Sequence, residues 1–154
     1  MNFIKKILPP FLLVALIFCT GFETVEQSLE AEIASLINIE RSEAGLAPYQ
    51  SDPFLTHLAQ KRGTEYSISQ LFRQNHYDFR GFVLRNGCGY RYVRVGECLS
   101  YGNCLGAAHF YVDGLMASPG HRQIMLSSNR DTIGIAISKQ GKYYITVYLV
   151  GKQR

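Results

Sequence analysis

Apolar residues recur at helical spacing near the start of the chain and predict a long amphipathic helix. The helix begins after Thr24, because the stretch TVEQ is typical of a capping box in which Thr24 and Gln27 each bond the other's backbone amide. Gly45 indicates the end of the helix, and Pro48 prevents it from continuing. The apolar positions of this helix are Val25, Leu29, Ile33, Leu36 and Ile37.

A second helix is predicted from Asp52 and Pro53, since aspartate is suited to the N-cap and proline to the first helical position. Its apolar stripe consists of Leu55, Leu58, Ala59 and Tyr66. The pattern from residue 70 to residue 89 is irregular and polar and contains three glycines. It predicts a long loop, and long loops in small domains are often functional.

The second half of the chain mixes strand and helix patterns. Residues 90–95 have strand character, and residues 105–116 place apolar side chains at helical spacing. Ser118 and Pro119 predict the start of a short further helix, with Ser118 as N-cap and His121 in its first turn. The chain ends in a predicted hairpin, TIGIAIS followed by KYYITVYLV, with the turn around Gln140 and Gly141.

The last predicted strand is apolar or aromatic on both faces, so it is expected to be covered on both sides. The predicted helices come first in the chain, the antiparallel strands come last, and both faces of the sheet are expected to be covered. This order predicts an α+β fold. We expect a three-layer α-β-α sandwich with a central antiparallel sheet. The 154 residues are enough for one such domain.

The first 21 residues have the layout of a secretory signal peptide: Lys5 and Lys6, the apolar run 11–18, then small residues. The run is shorter than the roughly 20 apolar residues that a membrane-spanning helix needs. We therefore predict cleavage after Gly21 and an exported domain comprising residues 22–154. Its location would be the periplasm, the cell surface or the surrounding medium.

A lipid anchor on Cys19 is the alternative to release, since bacterial lipoproteins carry lipid on such a cysteine. Phe18 stands where that signal needs a small residue, which counts against the anchor. Loss of residues 1–21 leaves 14 basic and 12 acidic side chains, a net charge of +2. So small an excess gives no indication of a nucleic-acid partner.

Three cysteines follow the predicted cleavage site: Cys88, Cys98 and Cys104. Export implies an oxidising compartment, so we expect one disulfide, involving Cys98, and one free thiol. The pairing depends on Cα separations and is left open by the sequence.

Four histidines are candidates for metal binding or catalysis. His57 and His109 lie within predicted helices and are interpreted as structural. His76 lies in the predicted loop, whereas His121 opens a helix, where the partial positive charge favours the neutral imidazole that a metal needs. Glu97 follows a glycine at the end of a predicted strand. Two imidazoles and one carboxylate would suit zinc with an open coordination position.

Four stretches of the chain carry a family resemblance in their order: LINIERSEAGLAPYQSDPFLTHLAQKRG, NHYDFRGF, GYRYVRVGECLSYGN and LMASPGHRQIMLSSNRDTIGIAIS. They resemble the CAP (SCP-like) superfamily of cysteine-rich secretory, antigen 5 and pathogenesis-related 1 proteins, in its bacterial form. The resemblance covers about residues 28–151. It implies an α-β-α sandwich, export, and a cleft lined by two histidines and acidic residues, with which divalent metal, often zinc, is associated.

The residues that match the family's cleft are His76, His121 and Glu97, the last being the glutamate of the Gly-Glu-Asn motif. The second glutamate of eukaryotic members would fall near Ser118 and is absent. Three further departures are Cys98 in place of the motif asparagine, Leu115 in place of tryptophan and Ile124 in place of asparagine.

The resemblance implies a scaffold used for several tasks, and a fold does not determine an activity. We predict a binding module for a divalent metal such as zinc and for a lipid or peptide ligand. One alternative is a metal-dependent hydrolase in which Glu97 is the base for zinc-bound water. The other is a cell-surface interaction protein with a vestigial cleft. The missing second acid and the replaced asparagine count against an enzyme, and the sequence leaves that question and the oligomeric state open.

Overall fold

The computed structural model describes residues 23–73 and 76–154. Its α-helices are α1 (Val25–Glu43), α2 (Pro53–Glu65), α3 (Phe79–Arg85), α4 (Cys88–Arg91), α5 (Ala108–Ala117) and α6 (Pro119–Met125). A short π-helix spans Ser69–Arg73. The strands are β1 (Gln50–Ser51), β2 (Tyr92–Gly102), β3 (Thr132–Gln140) and β4 (Tyr143–Gln153).

The predicted signal peptide, with its alternative lipid site at Cys19, lies outside the described residues. Within the part of the chain that is described, no helix combines the length and the apolar character needed to cross a membrane.

α1 begins with the predicted capping box. The Gln27 amide donates to Thr24 Oγ1 at 3.2 Å, and the Thr24 amide donates to Gln27 Oε1 at 2.9 Å. The helix ends at Glu43, and Gly45 follows with a φ of +71°, a conformation that favours glycine. Val25 is exposed and does not belong to the buried stripe. That stripe is Leu29, Ile33, Ile37 and Arg41.

α2 begins as predicted with Asp52 as its N-cap. One carboxylate oxygen of Asp52 accepts hydrogen bonds from the amides of Phe54 at 2.9 Å and Leu55 at 3.3 Å. The buried positions of α2 are Leu55, Leu58, Ala59, Arg62 and Gly63. Its stripe therefore contains a buried arginine, and α1 shares this property.

The four strands form one sheet in the order β1-β3-β4-β2. β3 and β4 form the predicted antiparallel hairpin, whose turn contains Gly141 at a φ of +59°. β4 also pairs antiparallel with β2 and places Leu149 opposite Glu97. β1 pairs in parallel with the first residues of β3, so the sheet is mixed at that end and otherwise antiparallel as predicted. β2 forms the edge of the sheet that lies opposite β1.

Helices cover both faces of the sheet and produce the predicted three-layer α-β-α sandwich. One face packs against α1, α5 and α6, and the other packs against α2, α3 and α4. β4 supplies both cores, since Tyr148 and Val150 face the first layer and Val147 and Leu149 face the second. Gly134 of β3 lets α2 approach closely, because a Cβ there would collide with the α2 backbone.

The prediction of a long loop from residue 70 to residue 89 is wrong. This segment contains most of the π-helix, all of α3 and the start of α4. The segment contributes three buried residues to the core beneath α2: Leu71, Phe82 and Cys88. The apolar residues are too few and too irregularly spaced to show helical periodicity, so packing against the sheet determines the local structure.

The predicted disulfide is not formed in the structure: Cys88, Cys98 and Cys104 are all free. Cys88 and Cys98 are buried in different cores on opposite faces of the sheet, whereas Cys104 is exposed. The sheet therefore separates Cys88 from Cys98.

Candidate functional site

Glu97 lies in β2 with a buried side chain, and only 4% of the residue is exposed. Because side chains alternate along a strand, Glu97 shares the face of Leu99, which packs with α2, while Cys98 faces the opposite core. A buried carboxylate needs charged or hydrogen-bonding partners to offset the loss of water. Glu97 has two such partners, which come from different elements.

The first partner is Arg62 in the last turn of α2. Its Nε donates to Glu97 Oε1 at 2.6 Å, and its Nη2 donates to Glu97 Oε2 at 3.3 Å. Arg62 is fully buried. Arg62 is not among the residues predicted for the site, although its spacing from Leu55 and Leu58 places it on the apolar stripe of α2. An arginine on a buried stripe is the signal that could have found it, since arginine is almost never fully buried without a partner.

The second partner is His76, on the segment that follows the π-helix. Its Nδ1 lies 2.7 Å from Glu97 Oε2, and a third of its side chain is exposed. The backbone of His76 has a φ of +61°, is anchored by its amide to the Leu71 carbonyl at 3.0 Å, and accepts from the Phe79 amide at 3.1 Å. With Nδ1 donating to the carboxylate, the second ring nitrogen, Nε2, carries the lone pair.

His121 comes from the opposite helical layer, in the first turn of α6, and is partly buried. Its pKa is lowered by burial and, to a smaller extent, by His76. The direction agrees with the predicted preference for a neutral imidazole, and its causes are burial and the second histidine. Two histidines far apart in the sequence thus come within electrostatic reach of each other beside β2.

A cavity of about 330 Å³ adjoins His121. The exposed Cys104 lines it together with aromatic and aliphatic residues, several glycines and Ser100; the aromatic and aliphatic residues are Leu99, Tyr101, Phe110, Tyr111 and Leu115. The cavity therefore offers an apolar space with one imidazole in its wall.

A sequence model of the cysteine-rich secretory protein family, CAP, matches residues 34–152. The chain belongs to the CAP family. A search of curated protein sequences finds no match to it.

Solved structures show the same fold as this CAP domain. An outer surface protein from Borrelia burgdorferi is 19% identical, with a TM-score of 0.68 over 88% of this chain and 100% of that chain. A cysteine-rich secretory protein from Staphylococcus aureus is 22% identical, with a TM-score of 0.61 over 82% of this chain and 40% of the other. An extracellular SCP-domain protein from Bacillus anthracis is 19% identical, with a TM-score of 0.59 over 83% and 42%.

A cation in this CAP domain would have the imidazole nitrogens of two histidines as its donors. Among residues 23–73 and 76–154, no three His, Cys, Asp or Glu side chains are grouped as a metal site. Both oxygens of Glu97 are engaged by Arg62 and His76, so the imidazoles of His76 and His121 are the donors that remain. A carboxylate on the far ring nitrogen is the usual partner of a metal-binding histidine. Direct ligation by Glu97 stays a prediction.

The other candidate residues of the CAP domain lie in α2, α5 and β2 and at the start of α6. His57 and His109 are exposed on α2 and α5. Burial, and then the charge of Glu97, raise the pKa of Cys98 to about 12, so this thiol is unreactive in its core. Ser118, near the place of the missing second glutamate, makes no side-chain hydrogen bond to cap α6.

Proposed function

We propose that this CAP domain is an exported binding module that holds a divalent cation, zinc in the first instance, between His76 and His121. The contact between His76 Nδ1 and Glu97 carries the proposal, because it leaves Nε2 free to act as a ligand. The lowered pKa of His121 adds support, since a metal needs neutral imidazole. With two protein ligands, the remaining coordination positions are open to water or to a bound molecule.

The second part of the proposal concerns the ligand. The cavity beside His121 has room for a small apolar group, such as part of a lipid chain or an apolar side chain of a peptide. A polar end of the same ligand could then reach a cation held by the two histidines. Export is supported by the predicted signal peptide and by relatives described as outer-surface or extracellular proteins.

The hydrolase alternative needs Glu97 as a general base. The contacts of Glu97 disfavour that role, because both of its carboxylate oxygens are already engaged by Arg62 and His76. We therefore favour binding over catalysis. A domain with a vestigial cleft remains a distinct outcome of the experiment below.

Calorimetric titration of zinc into the protein tests the cation site. We expect weak binding of one zinc ion per chain, weaker still at acid pH because protons compete for the imidazole nitrogens. His76→Ala and His121→Ala should each abolish the binding. His57→Ala is the matched control, since it removes an exposed histidine outside the cleft, and it should bind zinc as the parent protein does.

Two outcomes would contradict the proposal. Absence of zinc binding by the parent protein at neutral pH would indicate the vestigial cleft. Equal loss of binding in His57→Ala would show that zinc binds nonspecifically to histidines on the surface.

A further inference from the structure

We propose that Arg62 is a positioning residue for the cleft: it fixes Glu97 and the His76 backbone so that His76 presents Nε2 rather than Nδ1. The inference rests on the proposed function where it concerns zinc. The orientation of the His76 ring can be tested without any metal.

Arg62 and Glu97 form a forked ion pair. Two guanidinium nitrogens contact the two carboxylate oxygens at 2.6 Å and 3.3 Å, which fixes the plane of the carboxylate as well as its position. Glu97 Oε2 is also the atom that His76 Nδ1 contacts. The orientation of the His76 ring therefore depends on a carboxylate that Arg62 holds in place.

Arg62 also contacts the backbone of the segment that carries His76. Arg62 Nη2 also donates to the Tyr77 carbonyl at 2.9 Å and lies 3.5 Å from the His76 carbonyl. His76 and Asp78, on either side of Tyr77, have φ values of +61° and +49°. Such conformations are costly for residues other than glycine and persist where surrounding contacts enforce them. Arg62 supplies contacts of this kind from the core.

Arg62 is itself held in place by burial and by aromatic rings. The guanidinium is fully buried and lies over three aromatic rings, at 4.5 Å from Tyr66, 5.0 Å from Phe82 and 5.5 Å from Phe79. Its Nη1 has no hydrogen-bond partner among the described residues. A buried ion pair adds little net stability compared with apolar residues of similar size. What this arrangement adds is a fixed geometry for the carboxylate and the histidine.

Two substitutions of Arg62 and one control separate positioning from simple structural support. Arg62→Lys keeps the positive charge but loses the fork that reaches the carboxylate and the loop carbonyl together. Arg62→Met removes the charge and keeps much of the apolar volume. Arg85→Met is the matched control, because Arg85 ties the same loop through Asp78 at 2.5 Å on the surface.

The first measurement is the tautomer of His76 in the metal-free protein, from two-bond ¹H–¹⁵N correlation spectra at a pH where the ring is neutral. We expect the Nδ1–H tautomer in the parent protein and in Arg85→Met. In Arg62→Lys and Arg62→Met we expect a mixture of both tautomers. Circular dichroism identifies variants that remain folded, and Arg62→Lys keeps the test informative if Arg62→Met does not fold.

The second measurement is zinc affinity by calorimetry. Both Arg62 variants should bind zinc about 10- to 100-fold more weakly, as is typical when the partner of a metal-binding histidine is disturbed. Arg85→Met should bind it as the parent does.

The two measurements can fail separately. A mixture of tautomers in Arg62→Lys, with no zinc binding by the parent protein, would support the positioning role and contradict the cation site. A folded Arg62→Lys that keeps a single Nδ1–H tautomer would overturn the positioning role, whether or not zinc binds.

Discussion

Two buried arginines, Arg41 and Arg62, lie at equivalent places in the two helices that cover opposite faces of the sheet. Each is in the last turn of its helix, on the apolar stripe, and nearly inaccessible to water. Each also lies over an aromatic ring: Arg41 is 3.6 Å from the centre of Tyr49, and Arg62 is 4.5 Å from that of Tyr66. The two side chains differ in what their nitrogens contact.

Arg41 contacts neutral backbone acceptors. It donates to the carbonyls of Ala47 at 2.9 Å, Met125 at 2.8 Å and Ser127 at 3.1 Å, and so joins the end of α1 to the end of α6. Burial lowers the pKa of Arg41. Arg62 instead contacts a carboxylate that also holds an imidazole. Arg41 therefore holds backbone segments together, whereas Arg62 holds a carboxylate that contacts a histidine.

Among the variants that distinguish the two arginines, Arg62→Met is expected to lose the most stability. Leaving Glu97 buried without its cation should lower the free energy of unfolding by about 3–5 kcal/mol. Glu97→Gln removes the opposite charge, so the double variant should lose less than the sum of the two single variants. Urea denaturation of all four proteins measures this difference, and we expect a coupling of about 0.5–3 kcal/mol. Additive losses would contradict a coupled ion pair.

Arg41→Met is expected to cost less, about 3 kcal/mol, because it leaves carbonyl groups rather than a charge without partners. The same urea measurement gives its stability. The functional readouts should not change: the His76 tautomer and the zinc affinity of the folded variant should match those of the parent protein. A change in either readout would show that the Arg41 contacts also act on the cleft, and the distinction between the two arginines would fail.

The same contrast shows how far the sequence could predict the structure. The starts of α1 and α2, and the hairpin of β3 and β4, were predicted because capping residues and alternation are local signals. Arg41 and Arg62 both lie in the first stretch that carries the family resemblance, yet nothing in that stretch distinguishes their roles. His76, Glu97 and His121 were selected by resemblance and residue type. Their approach across the edge of the sheet depends on the tertiary fold, which a linear pattern does not contain.

Failures of prediction have the same origin. The segment from residue 70 to residue 89 was predicted as a loop because its few apolar residues lack periodicity, yet they are buried beneath α2. Arg62 was overlooked because arginine counts as polar in a hydrophobic pattern. Its role depends on a carboxylate 35 residues away, in another element.

The smallest expected effect is a pH dependence of stability that arises from His121. The pKa of His121 is lowered in the folded protein from its ordinary value of 6.5, by burial and then by His76. Between the lowered pKa and about pH 6.5, the unfolded chain binds more protons than the folded one. Stability therefore rises with pH through this interval, is fully present above it, and is lost as the pH falls through the lowered pKa.

His121→Ala should remove this contribution, so just below about pH 6.5 its free energy of unfolding should depend less steeply on pH than that of the parent protein. The effect should be small because His121 is only partly buried. Urea denaturation at several pH values without metal measures the slopes, with His57→Ala as the control that removes an exposed histidine. Arg41→Met should keep the slope of the parent, since its contacts are to carbonyls that do not titrate. An unchanged slope in His121→Ala would show that the imidazole is as easily protonated in the fold as in the unfolded chain.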